Sequence, residues 1–372
     1  MTGTVAPTPA GHTGQHRLNW HLIGWLSALF LGSGLAIWRI IYLFATVPPH
    51  LGGWLLVMGL TMGLLYVLTG FGITLGYHRG FTHGSFKYPS WLRNLLLVGG
   101  GMALEGDALT WVRTHRTHHA YADEWDDPHS PYLYAEAYPA GEPGVTRWRW
   151  WGRAIGRERV TWGGLLKGLL WSHLLWMLVR RQPPERVPSV RDLERHRAFR
   201  LQRQYYWALV AATFGLPTLI GAGYGLLAVG GWSGLFWGVA DGLLVPGVLR
   251  ICSLLNFTWS INSICHVIGR KVKDAEGSTY EMDLARDVSW LGVPTFGESY
   301  HAGHHADPTA ADHGTRRTDV DLTKWLIWLL ERFGVVWDVK WHKPDRVFSR
   351  AQRTLPSLTK PEPDQSDDQE AA

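Results

Sequence analysis

The 372-residue sequence contains only two cysteines, Cys252 and Cys265. Two cysteines cannot form a disulfide framework, and without a CxxC pair they provide neither a zinc site nor a dithiol redox motif. The cysteine set that binds an iron–sulfur cluster is also missing. Any redox chemistry of this chain therefore requires another kind of metal centre or a separate electron donor.

Charged residues are nearly absent from four long stretches of the chain. The stretches cover residues 21–47, 53–77, 207–230 and 232–257. Arg39 interrupts the first stretch, and Asp241 and Arg250 interrupt the last. Each stretch reaches the roughly 20 residues that a helix needs to cross a bilayer. Their order predicts four transmembrane helices in two hairpins, and hence an all-α integral membrane protein.

Basic residues indicate on which side of the membrane the other segments lie. The connections within the two pairs of stretches lack lysine and arginine, whereas residues 78–206 and the C-terminal part of the chain are rich in arginine. The positive-inside rule places these basic segments and both termini in the cytoplasm. We therefore expect a membrane domain over residues 17–345 with a cytosolic helical cap, built from residues 78–206 and 258–345. Residues 1–16 and 346–372 are expected to be disordered.

The formal net charge of +5 does not by itself distinguish a nucleic acid from an anionic lipid as a partner. The 22 tryptophans favour a membrane, because tryptophan prefers the membrane–water interface. We expect a lipid bilayer and no nucleic acid as partner. In the C-terminal part, residues 321–333 are amphipathic and predict a helix that lies on the cap or on the membrane surface.

Histidines are concentrated in four short clusters near the cytoplasmic ends of the apolar stretches. The clusters contain His78 and His83; His115, His118 and His119; Asn262 and His266; and His301, His304 and His305. Residues three and four apart share one helical face, so each HxxHH cluster can direct its imidazoles at a common point. Asn262 and His266 are one turn apart for the same reason. His78 and His83 are five apart, which a regular α-helix does not align, so Gly80 and a helix end are expected to supply a bend.

Nine imidazoles are more than one tetrahedral zinc ion can use. They suit two octahedral metal ions with positions left for water or oxygen, and imidazole binds iron, copper, zinc and nickel. The spacing does not choose among these metals. The isolated histidines are assigned ordinary surface or core roles: His12, His16, His21, His50, His196, His313 and His342.

The sequence resembles the membrane-bound acyl-CoA desaturases of the stearoyl-CoA Δ9 type over about residues 72–343. The family's histidine pattern HxxxxH, HxxHH and HxxHH is present, and so is its NxxxH element. Further matching stretches are GITLGYHR, WVRTHRTHH, DDPHSP, WSHLLWMLVRR, NFTWSINS, GESYHAGHH and DLTKWLIWLL. The family fold has four spanning helices in two hairpins under a cytosolic cap, which agrees with the expectation from the apolar stretches.

The resemblance implies roles for individual residues. The nine clustered histidines would ligate two iron ions, and Asn262 would reach one of them through a water molecule. Trp111 and Thr258 would line the bend of a tunnel for the acyl chain. Three arginines would lie near the CoA head group, although each could equally be a positive-inside anchor: Arg113, Arg180 and Arg181.

Three features depart from the family pattern. Residues 132–163 are inserted or strongly divergent, and their run RWRWWGRAIGRER resembles a surface-lying basic amphipathic segment or a patch for docking an electron donor. Glu105 stands near the tunnel bend, where an uncharged amide is usual. Thr114 replaces an acidic residue. The last two changes concern the substrate rather than the metal site.

The resemblance implies an O2-dependent desaturase that introduces a cis double bond, expected at Δ9, into a long-chain acyl-CoA. A reduced di-iron centre would supply an oxidant that side chains cannot provide. Two electrons would come from an external ferredoxin-, rubredoxin- or cytochrome b5-type donor with its reductase. In a bacterium the chain would lie in the inner membrane, with its active site in the cytoplasm.

Three alternatives remain open at this point. A di-iron alkane or fatty acyl hydroxylase would give an alcohol instead of an alkene. An acyl-lipid desaturase would use a different carrier of the acyl chain. A membrane metal-binding or transport protein is the alternative of a different class, and it would place polar ligands inside the spans rather than at their ends.

Overall fold

The computed structural model describes most of the chain. It covers residues 17–123, 127–131, 147–149, 153–155, 162–180, 184, 186–273 and 283–342. Both termini that are expected to be disordered, most of the insertion at 132–163 and the predicted head-group residue Arg181 lie outside these residues.

The described chain is helical apart from two pairs of very short strands. The α-helices, in chain order, are α1 (Trp20–Thr46), α2 (Leu51–Phe71), α3 (Ser90–Gly101), α4 (Ala108–Tyr121), α5 (Trp162–Leu170), α6 (Trp176–Leu178), α7 (Arg191–Glu194), α8 (Arg197–Gln204), α9 (Tyr206–Ala228), α10 (Gly231–Gly242), α11 (Arg250–Ser263), α12 (His301–Ala306) and α13 (Leu322–Arg332). Segments of π-helix cover Gly72–Thr82, Trp171–Leu175 and Leu243–Leu249. The strands are β1 (Arg17–Leu18), β2 (Arg147–Arg149), β3 (Arg153–Ile155) and β4 (Val179–Arg180).

Four of the helical elements are long and apolar enough to cross a bilayer. We number them spans 1 to 4: Trp20–Thr46, Leu51–Thr82, Tyr206–Ala228 and Gly231–His266. They coincide with the four stretches that lack charge, so the predicted number of spanning helices agrees with the structure. Their outward faces are apolar, with Leu227 exposed by 91 % and Leu31 by 72 %. Such a continuous apolar surface is suited to lipid rather than to water.

Spans 3 and 4 approach each other closely through glycines. A Cβ atom on Gly221 or Gly225 of α9 would collide with the backbone of Gly238 or Gly234 in α10. Helices in a bilayer gain little by burying apolar surface that lipid already covers, so close van der Waals contact between backbones has to hold them together. The glycines permit that contact and make α9 and α10 neighbours.

A buried ion pair joins span 1 to span 4. Arg39 Nε donates to Asp241 Oδ1 over 2.7 Å, and its Nη2 donates to Asp241 Oδ2 over 3.1 Å. Trp54 Nε1 of span 2 donates to the same carboxylate over 2.8 Å. The Arg39 guanidinium also lies over the Trp237 ring, 4.2 Å from its centroid. Two charges that are paired and hydrogen-bonded in this way are compatible with an apolar span.

The segments outside the spans form a core of their own against the end of span 2. Tyr77 and Phe81 of span 2 pack in one hydrophobic cluster with Leu97 of α3, Val112 of α4 and Phe199 of α8. This cluster holds α4, which carries three of the clustered histidines, beside the end of the span.

The amphipathic helix predicted for residues 321–333 is present as α13. It begins after Asp321, whose Oδ1 accepts a hydrogen bond from the Lys324 backbone N–H over 2.9 Å. Ile327 is buried, whereas Trp325 and Trp328 are exposed by more than half. Asp321 therefore sets the start of the helix, as its sequence position predicted.

The basic run within the insertion forms strands where it is described. β2 pairs with β3 in antiparallel fashion, with Trp148 opposite Ala154. The expected surface-lying segment or donor patch otherwise falls outside the described residues. β1 pairs with β4, which places the predicted head-group residue Arg180 opposite Arg17 along the backbone.

Candidate metal centre and acyl cavity

Span 2 ends in a π-helical segment, Gly72–Thr82, that carries the first histidines of the site. A π-helix forms i→i+5 hydrogen bonds, so residues five apart lie closer to one face than they do in an α-helix. The His83 N–H donates to the His78 carbonyl over 3.2 Å, which continues this pattern. The two ring centroids are 4.9 Å apart. The five-residue spacing is therefore met by a π-helix, and not by the expected bend at Gly80.

Two further helices carry the HxxHH clusters. α4 begins after Asp107, whose Oδ1 accepts hydrogen bonds from the backbone N–H groups of Leu109 and Thr110, each over 3.1 Å. α12, His301–Ala306, is short and entirely buried. The i, i+3, i+4 spacing in both helices directs their imidazoles toward the end of span 2.

The structure brings the nine clustered histidines together in two adjoining groups. The first group contains His78, His83, His115, His119 and His304, and the second contains His118, His266, His301 and His305. Within each group one ring nitrogen per residue lies within 4.8 Å of the others. Neighbouring Nε2 atoms are 2.8 Å apart for His119 and His304 and 3.2 Å apart for His118 and His305. Residues separated by up to 227 positions in the sequence thus meet at one place, as the clusters predicted.

Four of these imidazoles contact a carboxylate through the ring nitrogen that faces away from the group. The pairs join Nδ1 to a carboxylate oxygen in His78 with Glu298, His118 with Asp127, His266 with Asp123, and His305 with Asp283. The last three distances are 3.0, 3.1 and 2.7 Å. An ionised carboxylate only accepts hydrogen bonds, so Nδ1 must carry the proton and Nε2 must carry a lone pair.

The facing Nε2 atoms therefore cannot hydrogen-bond to one another. His118 and His305 both use Nδ1 to donate to a carboxylate, and their Nε2 atoms lie 3.2 Å apart. Two lone pairs at this distance repel each other unless a cation lies between them. Imidazole nitrogen is a ligand that iron, copper, zinc and nickel accept, so the residues present fit a metal centre.

Burial also keeps seven of the nine imidazoles in the metal-binding protonation state, whereas at His266 burial is outweighed by the Asp123 carboxylate, which raises the pKa. Desolvation, and after it the neighbouring imidazoles, lowers the pKa of His118 to about 3. The same two causes lower the pKa of other members well below the usual value: His83, His115, His119, His301, His304 and His305. Neutral imidazole is the form that ligates metal ions, so no proton has to be displaced from these seven.

A largely apolar cavity adjoins the histidine groups. Its empty volume is about 580 Å³, with the open mouth included. Its walls are formed by Gly70, Ile73, Thr74, Trp111, Leu254, Thr258, Ile261, Asn262, Pro294, Thr295 and Phe296, with His78, His115, His118, His301 and Glu298 at one end. The predicted tunnel residues Trp111 and Thr258 both line this cavity, and so does Asn262. A hydrocarbon chain in the cavity would lie directly beside the metal-binding nitrogens.

Glu105 lies against the cavity wall at Trp111. Its Oε2 accepts a hydrogen bond from Trp111 Nε1 over 2.9 Å. Its Oε1 is enclosed and has no hydrogen-bond partner among the residues described. Burial raises the pKa of Glu105 to about 7. Leu104 and Gly106 on either side have φ of +63° and +98°, so the loop is held in an uncommon conformation that fixes this carboxyl.

Two arginines of α4 beside the site form ion pairs with acidic residues. The predicted head-group residue Arg113 has its Nη2 3.3 Å from Glu194 Oε1. Arg116, one turn along α4, donates to both oxygens of Asp192 over 2.9 and 2.7 Å. The guanidinium groups on this part of α4 are therefore already paired within the chain.

Sequence reasoning did not identify the carboxylates or two buried histidines: His313, and His129, whose ring centroid lies 4.4 Å from that of His118. Asp127 and Glu298 stand inside the motifs DDPHSP and GESYHAGHH, and Asp123 lies two residues after α4, so an acidic residue near a histidine cluster was a usable signal. No local signal marks Asp283. His313 was assigned an ordinary role, but its ring lies 4.4 Å from that of a clustered histidine.

Comparison with known proteins places this arrangement in a family. The chain is 31 % identical over 319 residues, 86 % of its length and 94 % of the relative's, to an sn-1 stearoyl-lipid 9-desaturase of Anabaena variabilis. It is 31 % identical over 277 residues to Delta-9 acyl-lipid desaturase 1 of Arabidopsis thaliana, which covers 74 % of this chain and 73 % of the relative. It is 31 % identical over 283 residues, 76 % of each chain, to a hex-5-enoyl-acyl-carrier-protein acetylenase of Moorena producens. Residues 51–322 match the fatty acid desaturase family, and the protein therefore belongs to this family of membrane-associated oxidoreductases of lipid metabolism.

Proposed function

We propose that this protein is an O2-dependent desaturase that introduces a cis double bond at the Δ9 position of a long-chain fatty acyl group, with two iron ions held by the clustered histidines. The observation that carries the proposal is the two groups of imidazoles whose ring nitrogens face one another next to an apolar cavity. Nitrogen ligands for redox-active metal ions beside a site for a hydrocarbon chain suit the oxidation of an unactivated methylene.

The two histidine groups would hold one ion each. The group of five contains His78 and His304, and the group of four contains His118 and His266. Asn262, one helical turn before His266 and in the cavity wall, would support a water ligand at the group of four. Imidazole does not by itself select iron over copper or zinc. The choice of iron rests on the redox chemistry of desaturation and on the family.

Two irons held by these histidines would supply, with O2, the oxidising power for an unactivated C–H bond. The reaction consumes a –CH2–CH2– unit, O2, two electrons and two protons, and it yields –CH=CH– and two water molecules. The two electrons come from an external donor of the ferredoxin, rubredoxin or cytochrome b5 type. Within the chain, the cavity wall excludes water, and Trp111 and Thr258 fix the position of the acyl chain. Regiochemistry depends on that placement, because neighbouring methylenes are chemically alike.

The membrane arrangement forms part of the proposal. Spans 1 and 2 would form one hairpin and spans 3 and 4 a second, with the cap, both termini and the metal centre in the cytoplasm. The support comes from the short connections between paired spans and from the arginine-rich segments outside them. In a bacterial cell this would be the inner membrane.

We propose a glycerolipid as the carrier of the acyl chain, with acyl-CoA as the second candidate. The names of two relatives refer to acyl-lipid or stearoyl-lipid substrates. Arg113 and Arg116, which could meet the phosphates of CoA, are offset by Glu194 and Asp192. Acyl-CoA was the substrate that the family resemblance implied, and direct comparison of the two carriers decides between them.

The test is expression in a host that does not make the product, followed by mass spectrometry of its lipids with location of the double bond. We expect a new cis-Δ9 acyl chain with the wild-type protein and none with His118→Ala, which removes a ligand of the group of four. An alcohol in place of an alkene would favour the hydroxylase. A protein that binds iron but yields no oxidised lipid under any donor would refute the desaturase and favour the metal-binding or transport alternative.

The carrier is tested with purified protein, a reconstituted donor and O2. Phosphatidylglycerol or a galactolipid with stearoyl chains is offered in one reaction and stearoyl-CoA in another. Turnover of the lipid alone supports the proposal, and turnover of stearoyl-CoA alone refutes it.

A further inference from the structure

His313 is a buried histidine that lies directly behind the metal-binding groups. Its side chain is fully enclosed, and neither ring nitrogen has a hydrogen-bond partner among the described residues. Its ring centroid is 4.4 Å from that of His304 and 5.3 Å from that of His78. Buried polar groups are nearly always hydrogen-bonded, so an imidazole with two unsatisfied nitrogens beside two candidate ligands needs an explanation.

The backbone is built to bring His313 against α12. The His313 N–H donates to Asp321 Oδ2 over 2.9 Å, which anchors it to the start of α13. A Cβ atom on Gly303 would collide with the His313 carbonyl oxygen. Gly303 directly precedes His304 in α12. The glycine inside the HxxHH cluster is therefore what lets His313 approach the ligand helix.

Glu298 defines which nitrogen of His313 carries the proton. Its Oε1 accepts from Arg79 Nε over 3.0 Å, and its Oε2 contacts His78 Nδ1. The same Oε2 lies 3.4 Å from His313 Nδ1. A carboxylate oxygen presents only lone pairs, so a second lone pair on His313 Nδ1 at this distance would be repelled, whereas an N–H would be attracted. His313 Nδ1 is then the donor, and its Nε2 carries a lone pair.

His304 has a ring N–H that lacks an acceptor in the described part of the chain. Its Nε2 faces the group of five, 2.8 Å from His119 Nε2, so its proton resides on Nδ1. That Nδ1 is buried and has no partner among the residues described. In four other clustered histidines, Nδ1 contacts a carboxylate oxygen. Within the described residues, His304 thus has an unpaired N–H, and the ring of His313, 4.4 Å away between centroids, has an unpaired acceptor.

We propose that His313 is a positioning residue of the metal centre, whose Nε2 accepts a hydrogen bond from His304 Nδ1 while its own Nδ1 donates to Glu298. One carboxylate then orients two ligand rings, His78 directly and His304 through His313. The inference rests on the proposed metal binding and adds to it a tenth imidazole that touches no metal ion. Removal of such an outer partner typically lowers metal affinity by about 10- to 100-fold.

The experiment compares three variants of the full-length protein, purified in detergent and loaded anaerobically with Fe(II). His313→Phe keeps a planar ring but removes both nitrogens. His313→Gln keeps one acceptor and one donor. His342→Phe is the matched control, because His342 also has an enclosed Nδ1 without a partner among the described residues but lies outside the two histidine groups. Iron release to an excess of a colorimetric chelator is followed with time, and iron per chain is measured by mass spectrometry.

We expect two kinetic phases in the wild-type protein, one for each iron. His313→Phe should accelerate one phase about 10- to 100-fold and leave the other unchanged, while His313→Gln and His342→Phe stay close to the wild type. Release from His313→Phe at the wild-type rate overturns the proposal. So does equal acceleration by His313→Phe and His313→Gln, since the ring and not its hydrogen bonds would then matter. Wild-type protein that binds no iron refutes the proposed function itself, and the inference falls with it.

Discussion

Glu105 allows the acyl cavity to be tested through pH. Its carboxyl accepts a hydrogen bond from Trp111, which lines the cavity. Burial raises the pKa of this carboxyl from 4.5 to about 7. At about 1.4 kcal/mol per pH unit, ionising Glu105 in the folded protein costs roughly 3 kcal/mol more than ionising it in water.

The sign of the stability change follows from proton binding. Between pH 4.5 and about 7 the folded protein binds more protons at Glu105 than the unfolded chain does. Stability therefore falls as the pH rises through this interval and stays lower above it. Glu105→Gln keeps the size of the side chain and an acceptor for Trp111 but cannot ionise. We expect it to be more stable than the wild type at pH 8, by up to roughly 3 kcal/mol, with the two proteins converging toward pH 5.

The same ionisation should affect substrate binding. A carboxylate held directly behind the cavity wall at Trp111 opposes an apolar chain, whereas a neutral carboxyl or amide opposes it much less. The KM of the wild type for the acyl substrate should therefore rise above pH 7, and the KM of Glu105→Gln should stay level. Thermal unfolding in detergent and steady-state kinetics between pH 5.5 and 8.5 measure both effects.

A matched control is available for the kinetic measurement. Glu331 Oε2 also accepts a hydrogen bond from a tryptophan, Trp341 Nε1, over 2.9 Å, but Trp341, unlike Trp111, does not line the cavity. Glu331→Gln should therefore leave the pH dependence of KM unchanged. If Glu105→Gln shows the same pH dependence as the wild type, Glu105 does not ionise beside the substrate and the reasoning is wrong.

Three other substitutions test separate parts of the structure. Asp127→Asn should weaken iron binding about 10- to 100-fold in a chelator competition, because an amide is a weaker acceptor than a carboxylate for the N–H of His118. Unchanged affinity would contradict the role of Asp127 in orienting His118. Arg39→Met leaves the charge of Asp241 unpaired in a span and should lower the free energy of unfolding by roughly 3–5 kcal/mol. The double variant with Asp241→Leu should recover most of this loss. A single variant as stable as the wild type would refute the ion pair. Gly225→Leu should lower the unfolding temperature in detergent, because the new side chain forces α9 away from α10. Gly215→Leu should not, because its side chain meets open space. Equal effects of the two substitutions would contradict the glycine contact.

The sequence predicted the features that depend on length, composition and local spacing. Absence of charge over about 20 residues identified all four spans, and the i, i+3, i+4 pattern identified the ligand faces of α4 and α12. Spans 2 and 4 continue as helix beyond the apolar stretches, to Thr82 and His266, because the polar residues there face the histidine groups instead of water.

What the sequence could not predict depends on contacts between distant segments. Asp283 reaches His305 and Glu298 reaches His78 only after the chain has folded, so no local pattern contains these pairs. The raised pKa of Glu105 likewise depends on the walls that enclose it. A π-helix was also missed, because five-residue spacing has no counterpart in the periods of ordinary helices and strands.

The Arg39–Asp241 pair has a consequence for how the protein is made. The two residues are 202 positions apart, so at 5–20 residues per second the ribosome needs roughly 10 to 40 s after Arg39 to synthesise its counter-ion. During that time span 1 is in the insertion machinery or the lipid with an unneutralised guanidinium, which costs about 2.5 kcal/mol or more at mid-bilayer. Span 1 therefore reaches its full stability in the bilayer only after the last span has been inserted.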